Sequence, residues 1–208
     1  MNLIEKLQWR YAVKAMNGKK VAEEKIDHIV EAARLAPSAN GLQPVEIFVI
    51  TNQQVKDKIR EAAYGQSQVS DCSHLLVFTS WDGYTLKRIN ETFSMMKEFC
   101  GRDVPDEYKQ SVIKRYTNAP LESQFADMEK QVFLAFGIAI AAAALEELDA
   151  CPMTGFSHDK VDEILNLKEK GLRSVSLFPI GCRDSEKDWN EKLPKARRPK
   201  EKFITKIN

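Results

Sequence analysis

Cysteine and histidine are scarce in this sequence, and neither is clustered. The chain has 208 residues with four cysteines and three histidines, and no CxxC pair or Cys–His cluster occurs. Because a metal site needs convergent ligands, we expect none here and interpret each histidine as an ordinary surface or core residue. Scattered cysteines fit a reducing compartment better than a disulfide framework, which predicts a cytoplasmic protein. The cysteines are Cys72, Cys100, Cys151 and Cys182.

An excess of charge of either sign is also missing. The 31 Lys and Arg residues nearly balance the 30 Asp and Glu residues, so no global field favours nucleic acid or a membrane surface. The basic run at 192–202 is a local exception, without the basic aromatic surface of a nucleic-acid binder. The first 20 residues lack the apolar core of a secretion signal. The apolar content of 43% is typical of a globular protein.

A long apolar stretch occupies the middle of the chain. Residues 122–148 favour a helix, and its part 132–145 carries no charged side chain. A helix that is apolar all round is buried on every side, and 14 residues are fewer than the about 20 that a membrane span needs. The run of alanines allows close approach of another backbone. We therefore expect a central core helix, either within one chain or at the core of a dimer.

The N-terminal third alternates helices with short polar segments. A short amphipathic helix ends near Trp9, and the next basic pair, Arg10 and Lys14, faces one way on either a helical turn or an extended strand. A solvated charged surface is the alternative interpretation of this pair. A second helix at 22–35 stops before Pro37, and the loop 36–44 is either a connecting turn or a place where backbone approaches a ligand closely.

Three apolar runs predict strands at 46–50, 74–80 and 173–180. Together with the helical patterns they predict an α+β protein whose central strands are covered by helices on both faces. The tail at 193–199 is extended because its prolines cannot lie inside a helix. Residues 203–207 favour a terminal edge strand, which a sheet of the same chain or of a second chain would accept.

Aromatic and methionine side chains are concentrated in the predicted helices between residues 85 and 116. Such side chains either line an adaptable apolar pocket or pack against the core, and we expect core packing for about half of them. They are Phe93, Met95, Met96, Phe99, Tyr108 and Tyr116.

Six blocks of the sequence resemble the FMN-dependent nitroreductases, in particular the branch of oxygen-insensitive NAD(P)H nitroreductases and dihydropteridine reductases. The resemblance covers nearly the whole chain, and the blocks follow one another at fitting separations. They are RYAVKAM at 10–16, APSANGLQP at 36–44, DCSHLLVF at 71–78, CPMTGF at 151–156, LKEKGLRSVSLFPIG at 167–181 and LPKARRP at 193–199.

This resemblance implies one domain over residues 1–208, with a mostly antiparallel sheet flanked by helices. It implies a homodimer with two FMN sites at its interface, the long apolar helix as dimer core and the C-terminal segment exchanged with the partner. The helices at 85–120 would form an excursion over the active-site cleft. The implied activity is ping-pong transfer of hydride from NADH or NADPH through FMN to a nitroaromatic, quinone or related acceptor, without nucleic acid or membrane as a partner.

The resemblance also implies roles for single residues. Arg10, Lys195 and Arg197 would hold the FMN phosphate, because a dianion favours several convergent donors. Lys14 would stabilise charge near N1 and the C2 carbonyl of the flavin, while flavin N5 rather than any side chain carries the chemistry. The other implied FMN contacts are the backbone of Tyr11 and Ala12, the partner-chain loop Pro37, Ser38, Ala39 and Asn40, the side chain of Gln68, and the turn Pro152, Met153, Thr154 and Gly155.

Several positions depart from the family pattern and leave the acceptor open. Gly41 and Val45 stand where the family loop often has asparagine and tryptophan, and Ala12 where serine is common. Thr154 replaces a frequent glutamate, and Gly65 a usual asparagine. The alternatives are a flavoenzyme of the same fold that reduces a dihydropteridine or an enone, and a flavin-binding protein without catalytic activity.

Overall fold

A four-stranded antiparallel sheet lies at the centre of the computed structural model, which describes residues 2–207. Its strands lie in the order β1 (Val45–Ile50), β2 (His74–Trp81), β4 (Leu172–Gly181) and β3 (Asp149–Ala150), with antiparallel pairing throughout. Three strands confirm the sequence prediction to within two residues, whereas the two-residue β3 is too short to show a pattern.

Helices cover both faces of this sheet, as the sequence predicts. Within β2, Leu75 and Val77 pack on the side of α3 (Gln53–Ala62) and α8 (His158–Ile164). The alternate residues Leu76 and Phe78 pack on the side of α2 (Glu23–Arg34) and α7 (Leu121–Leu145). Burial on both faces explains the continuous apolar run of this strand. The helices are α1 (Leu3–Trp9), α2 (Glu23–Arg34), α3 (Gln53–Ala62), α4 (Gln68–Asp71), α5 (Leu86–Cys100), α6 (Asp106–Thr117), α7 (Leu121–Leu145), α8 (His158–Ile164) and α9 (Lys200–Phe203).

The long helix α7 is 25 residues long, which confirms the helix predicted over 122–148 and ends it three residues earlier, at Leu145. Within residues 2–207 it is the helix whose length and hydropathy suit a membrane span, with 44% of its most apolar window buried in the chain. The predicted burial on every side is wrong for one chain, because Phe133 and Leu134 are 40% and 49% exposed. One side of α7 packs on the sheet and on α2, and the other presents apolar side chains.

Helices α5 and α6 lie between β2 and α7 in the chain, in the segment predicted to form an excursion over the cleft. Their inner residues Phe93 and Tyr116 are buried in a cluster of their own with Leu42 and Met128. Phe99 and Tyr108 are exposed, and the two methionines are half-buried. About half of the aromatic and methionine side chains therefore pack inward, which confirms the sequence interpretation.

The C-terminal tail differs from its prediction. The structure has helix α9 where a strand was expected to begin, and residues 204–207 pair with no strand in the part of the chain described. Pro199 has the fixed φ that suits the start of a helix, and Lys200, Glu201 and Lys202 are good helix formers. A strand formed with a second chain remains a prediction.

Candidate functional site

Three basic side chains from opposite ends of the chain line one cavity. Arg10 follows α1, whereas Lys195 and Arg197 belong to the C-terminal tail, and all three border a cavity of about 290 Å³. The fold therefore brings together the three residues that the sequence analysis assigns to one phosphate. The remaining lining residues are Tyr11, Ala12, Asn190, Leu193, Pro194 and Ala196.

The electrostatics of this cavity favour an anion. Burial and then Arg197 lower the pKa of Arg10, and burial followed by Arg10 and Arg197 lowers the pKa of Lys195. Within residues 2–207, none of the three forms an ion pair with a carboxylate. Like charges held close together disfavour the charged state, and an anion between them reverses that effect.

Lys195 fastens the tail to the first helix of its own chain. Its ammonium donates to the carbonyl oxygens of Leu7 at 2.6 Å and Gln8 at 3.0 Å, and also to that of Arg10. The carbonyl groups at a helix C-terminus form a favourable binding site for a cation. The tail up to Lys195 therefore lies on its own chain, and the predicted exchange of the C-terminal segment with a partner stays a prediction.

Residues 10–16 form an extended segment rather than a helical turn. Ala12 makes a parallel bridge to Ala150, and Met16 an antiparallel bridge to Arg183. The period of two in an extended chain places Arg10 and Lys14 on the same side. Of the two conformations that the sequence allows for Arg10 to Lys14, the structure has the extended one.

The buried carboxylate of Asp188 holds this segment in place. It accepts hydrogen bonds from the Tyr11 hydroxyl at 2.9 Å and from the Lys14 amide at 3.3 Å. Asn190 donates its side-chain amide to the Ala12 carbonyl at 2.9 Å. Burial and the bond to Asp188 raise the pKa of Tyr11. The Tyr11 hydroxyl and the Ala12 carbonyl are therefore used within the protein.

A cluster of sulfur and nitrogen atoms lies next to the basic cavity. The Lys14 ammonium is 3.6 Å from the Cys151 sulfur. The buried Gln68 side-chain amide is 3.7 Å from the same sulfur and 3.7 Å from that of Met153. Arg10 is close enough to influence the pKa of Cys151. Lys14, Gln68 and Met153 thus meet around the buried Cys151 sulfur.

The turn 152–155 presents two backbone N–H groups. Met153 is fixed by paired hydrogen bonds with Leu177, both 2.9 Å long, and the Gly155 carbonyl accepts from Gln66 at 3.0 Å. The amides of Thr154 and Gly155 donate to no acceptor in the described part of the chain, and both residues are exposed. Pro152 precedes them and has no N–H group. The turn can donate hydrogen bonds to a bound ligand.

The loop that begins at Pro37 is held by α7. The Ala39 amide donates to the buried side chain of Gln131 at 2.8 Å. The Gln43 amide donates to the Ser38 hydroxyl at 3.0 Å. These bonds fix the backbone of the predicted flavin-packing loop.

Helix α6 clamps Asn40, which has a left-handed backbone with φ of 54°. Its side-chain amide donates to the Tyr116 hydroxyl at 2.7 Å, and the Tyr108 hydroxyl donates to its carbonyl oxygen at 2.7 Å. Both ends of the Asn40 side chain are therefore engaged by the excursion. Any contact of Asn40 with a ligand would use its backbone.

Within one chain, this loop and the basic surface remain separate. No hydrogen bond among residues 2–207 joins residues 37–40 to Arg10, Lys14, Gln68 or residues 152–155. The loop instead lines two other cavities, one beside α2 and one beside α5. The structure therefore places five of the predicted contacts in the basic cavity and Lys14, Gln68 and the turn 152–155 around Cys151, and it leaves these four elsewhere on the chain.

Comparison with known proteins decides the family. The model of the nitroreductase family matches residues 7–182. The chain belongs to the nitroreductase family. It is 30% identical to an oxygen-insensitive NAD(P)H nitroreductase of Salmonella typhimurium over an alignment of 222 residues that covers all of both chains.

Solved structures confirm the nitroreductase fold. The protein ydfN of Bacillus subtilis superposes with a TM-score of 0.83 at 21% identity, over 98% of each chain. A protein of Exiguobacterium sibiricum, solved in complex with FMN, has a TM-score of 0.81 at 20% identity and covers 100% of this chain and 98% of its own. The predicted α+β nitroreductase-like architecture is confirmed.

Four residues of this nitroreductase-family chain escaped the sequence analysis. Cys151 lies in a quoted block but resembles an ordinary core cysteine, and Gln131 stands in the apolar helix. Asp188 and Asn190 lie in a polar tail where no pattern distinguishes them. Only the fold shows that they position the predicted residues.

Metal ligation has no support in the described part of this nitroreductase-family chain. Among residues 2–207, no group of three or more His, Cys, Asp or Glu side chains is arranged to hold a metal ion. His74 bonds to Ser73 and Glu23, and His158 to the Ser174 carbonyl. These two histidines have structural partners.

Proposed function

We propose that this chain is an FMN-dependent NAD(P)H oxidoreductase that acts as a cytoplasmic homodimer on nitroaromatics, quinones or related small acceptors. The observation that carries the proposal is the cavity shared by Arg10, Lys195 and Arg197. Three cations that have no carboxylate partner within residues 2–207 suit a dianionic phosphate, and arginine binds two phosphate oxygens at once. The relative from Salmonella typhimurium, named for NAD(P)H-dependent nitro reduction, supports the same chemistry.

The residues next to the cavity fit the rest of a flavin. We assign Lys14 and Gln68 to its pyrimidine end, where a cation stabilises negative charge. The amides of Thr154 and Gly155, which meet no acceptor among residues 2–207, suit an acceptor nitrogen of the ring. Bound FMN would supply the redox chemistry by taking hydride from NADH or NADPH and reducing the acceptor. The protein side chains bind and orient it, with no catalytic side chain required.

A second copy of the chain would complete the site. The loop 37–40 does not reach the basic surface of its own chain, and α7 exposes the apolar side chains of Phe133 and Leu134. A two-fold dimer is the commonest assembly of soluble oligomers, and it would bury this surface. We propose that Pro37, Ser38, Ala39 and Asn40 pack on the flavin bound mainly by the partner.

The excursion formed by α5 and α6 is the proposed cover of the cleft. Its inner side borders a cavity of about 270 Å³ together with Ser38, Asn40 and Gly41. The clamp on Asn40 connects the excursion to the loop. Side chains there, including Phe93, Met96 and Tyr108, are therefore placed to influence which acceptor enters.

The visible absorption spectrum of the purified protein tests the proposal. We expect a yellow protein whose flavin absorbance bleaches when NADH or NADPH is added without air and returns when a nitroaromatic or quinone is added. A colourless protein that takes up no added FMN contradicts the proposal. A flavin that NAD(P)H leaves oxidised would instead identify a flavin-binding protein, and recovery only with an enone or dihydropteridine would reassign the acceptor.

A further inference from the structure

The ammonium of Lys14 rests against a sulfur atom rather than a carboxylate. Its distance to the Cys151 sulfur is 3.6 Å, and this is the side-chain hydrogen bond that its ammonium makes within the described residues. Lys14 forms no ion pair there. The Cys151 side chain is fully buried, so it lies beneath the surface that Lys14 and the turn 152–155 form.

The same sulfur receives a second donor. The side-chain amide of Gln68 lies 3.7 Å from Cys151 and 3.7 Å from the Met153 sulfur, and Gln68 is only 3% exposed. Both polar side chains assigned to the pyrimidine end of the flavin are thus in contact with Cys151. One thiol therefore restrains the orientation of both.

A thiol differs from a carboxylate acceptor in its effect on the positive charge of a neighbouring cation. Burial raises the pKa of Cys151, and the opposing effect of Lys14 is smaller, so the thiol stays neutral. Sulfur is a weak hydrogen-bond acceptor. It fixes the position of the ammonium and leaves its positive charge uncompensated, whereas a carboxylate in the same place would neutralise it.

We propose that Cys151 is a positioning residue that holds the Lys14 ammonium, beside the Gln68 amide, towards the pyrimidine end of bound flavin, and that it sets the reduction potential of the flavin through Lys14. The inference rests on the proposed function, because it concerns flavin bound beside Lys14. Reduction adds negative charge at that end, and a well-placed cation favours the reduced form. Without the contact to Cys151, the Lys14 ammonium would stabilise the reduced flavin less.

The test is the midpoint potential of FMN in the intact protein and in its variants. In Cys151→Ala we expect reduced FMN to lose about tenfold more affinity than oxidised FMN, which lowers the potential by about 30 mV for a two-electron couple. Cys151→Val fills the volume without an acceptor and should give the same shift. Cys151→Ser restores a neutral acceptor and should recover most of the parent potential.

A double-mutant cycle separates positioning from simple packing. If Cys151 acts through Lys14, Cys151→Ala should add little to the shift already caused by Lys14→Met. Cys72 is the matched control, because it is a buried cysteine of the same core cluster whose sulfur contacts the Val69 carbonyl. Cys72→Ala should leave the potential unchanged.

The outcomes distinguish this inference from the proposed function. A parent protein that binds no FMN overturns both. A parent whose bound FMN is reduced by NAD(P)H, together with unchanged or raised potentials in Cys151→Ala and Cys151→Val, overturns the inference and leaves the function standing. Additive shifts in the double mutant also overturn it, because they show that Cys151 does not act through Lys14.

Discussion

Arg197 is the exposed one of the three basic residues of the cavity, and among residues 2–207 its guanidinium makes only a local bond to the Ala196 carbonyl at 2.6 Å. Arg197 therefore contributes little to the stability of the single chain. Replacing it with alanine should weaken FMN binding by about 1.5–3 kcal/mol, the range for hydrogen bonds to a charged group. Fluorescence titration of the apoprotein with FMN measures the change.

The neighbouring Arg198 provides the control for Arg197. Its guanidinium lies 5.7 Å from the Phe203 ring, and it does not line the basic cavity. Arg198→Ala should leave the FMN affinity within a factor of about two, well below the effect of losing a charge-assisted bond. Equal losses in both variants would mean that general basicity of the tail, rather than the cavity, binds FMN.

The buried Lys56 should make the free energy of unfolding depend on pH. Its side chain is 1% exposed and donates to the Cys72 carbonyl at 2.7 Å, and burial lowers its pKa below the ordinary 10.5. At pH values between the lowered pKa of Lys56 in the folded chain and its ordinary pKa in the unfolded chain, the unfolded chain binds more protons. The free energy of unfolding therefore rises with pH in this interval. Lys56→Met should remove this rise in urea unfolding between neutral and alkaline pH.

The exposed Lys58 on the same helix is the matched control. Lys58→Met should keep the dependence of the parent, because its ammonium is exposed. A Lys56→Met profile parallel to the parent at every pH would show that Lys56 is not desolvated. The sequence could not reveal this burial, because a lysine in an amphipathic helix is ordinarily solvent-exposed.

Residues of the candidate site were predictable where a family pattern exists. The basic ends of the chain, Arg10 and Lys195 with Arg197, were expected together and lie together. Cys151 and Asp188 were not expected in the site, because a single cysteine or aspartate has no distinctive spacing. The contacts of Asp188 arise because the tail folds back on residues 10–14, and those of Cys151 arise because the fold brings Lys14 and Gln68 to it; both are long-range properties.

At the scale of elements, the clamp of α6 on the loop is open to direct measurement. Tyr116 is buried, and its hydroxyl accepts from the Asn40 side chain while its ring packs 4.4 Å from that of Tyr84, measured between centroids. Tyr116→Phe keeps the ring contact and removes the bond. We expect a loss of about 0.5–1.5 kcal/mol in the free energy of unfolding, measured with urea.

Tyr108→Phe is the comparison for Tyr116→Phe, since it removes the second bond to Asn40 from a residue that is 43% exposed. Water can replace that bond, so the expected loss is under about 0.5 kcal/mol. A larger loss in the free energy of unfolding for Tyr108→Phe than for Tyr116→Phe would contradict the assignment of the buried Tyr116 bond as the stronger of the two bonds to Asn40.

Elements were predictable where local pattern and tertiary packing agree. The apolar run of β2 indicated burial on both faces, and the sheet has it between two layers of helices. The segment 203–207 is rich in aromatic and β-branched residues, which favour strands, but a strand needs a sheet edge to pair with, and residues 200–203 form a helix instead. Strand β3 exists only because Asp149 and Ala150 lie beside the end of β4.

At the scale of the whole molecule, the outer side of α7 tests the proposed assembly. Leu134 is 49% exposed in one chain. If the chain acts alone, Leu134→Asp is an ordinary surface change of at most about 0.5 kcal/mol. If two chains meet along α7, it places a charge in an apolar interface and should produce monomers in sedimentation velocity at concentrations where the parent is dimeric.

The same substitution should release FMN, because loop 37–40 of one chain would no longer meet the basic surface of the other. FMN affinity in the parent should then fall on dilution through the dimer dissociation range, since a ligand that needs both chains stabilises the dimer by mass action. Leu86→Asp is the matched control, as Leu86 is 54% exposed on α5. A monomeric Leu134→Asp variant that binds FMN as tightly as the parent would show that one chain makes a complete site.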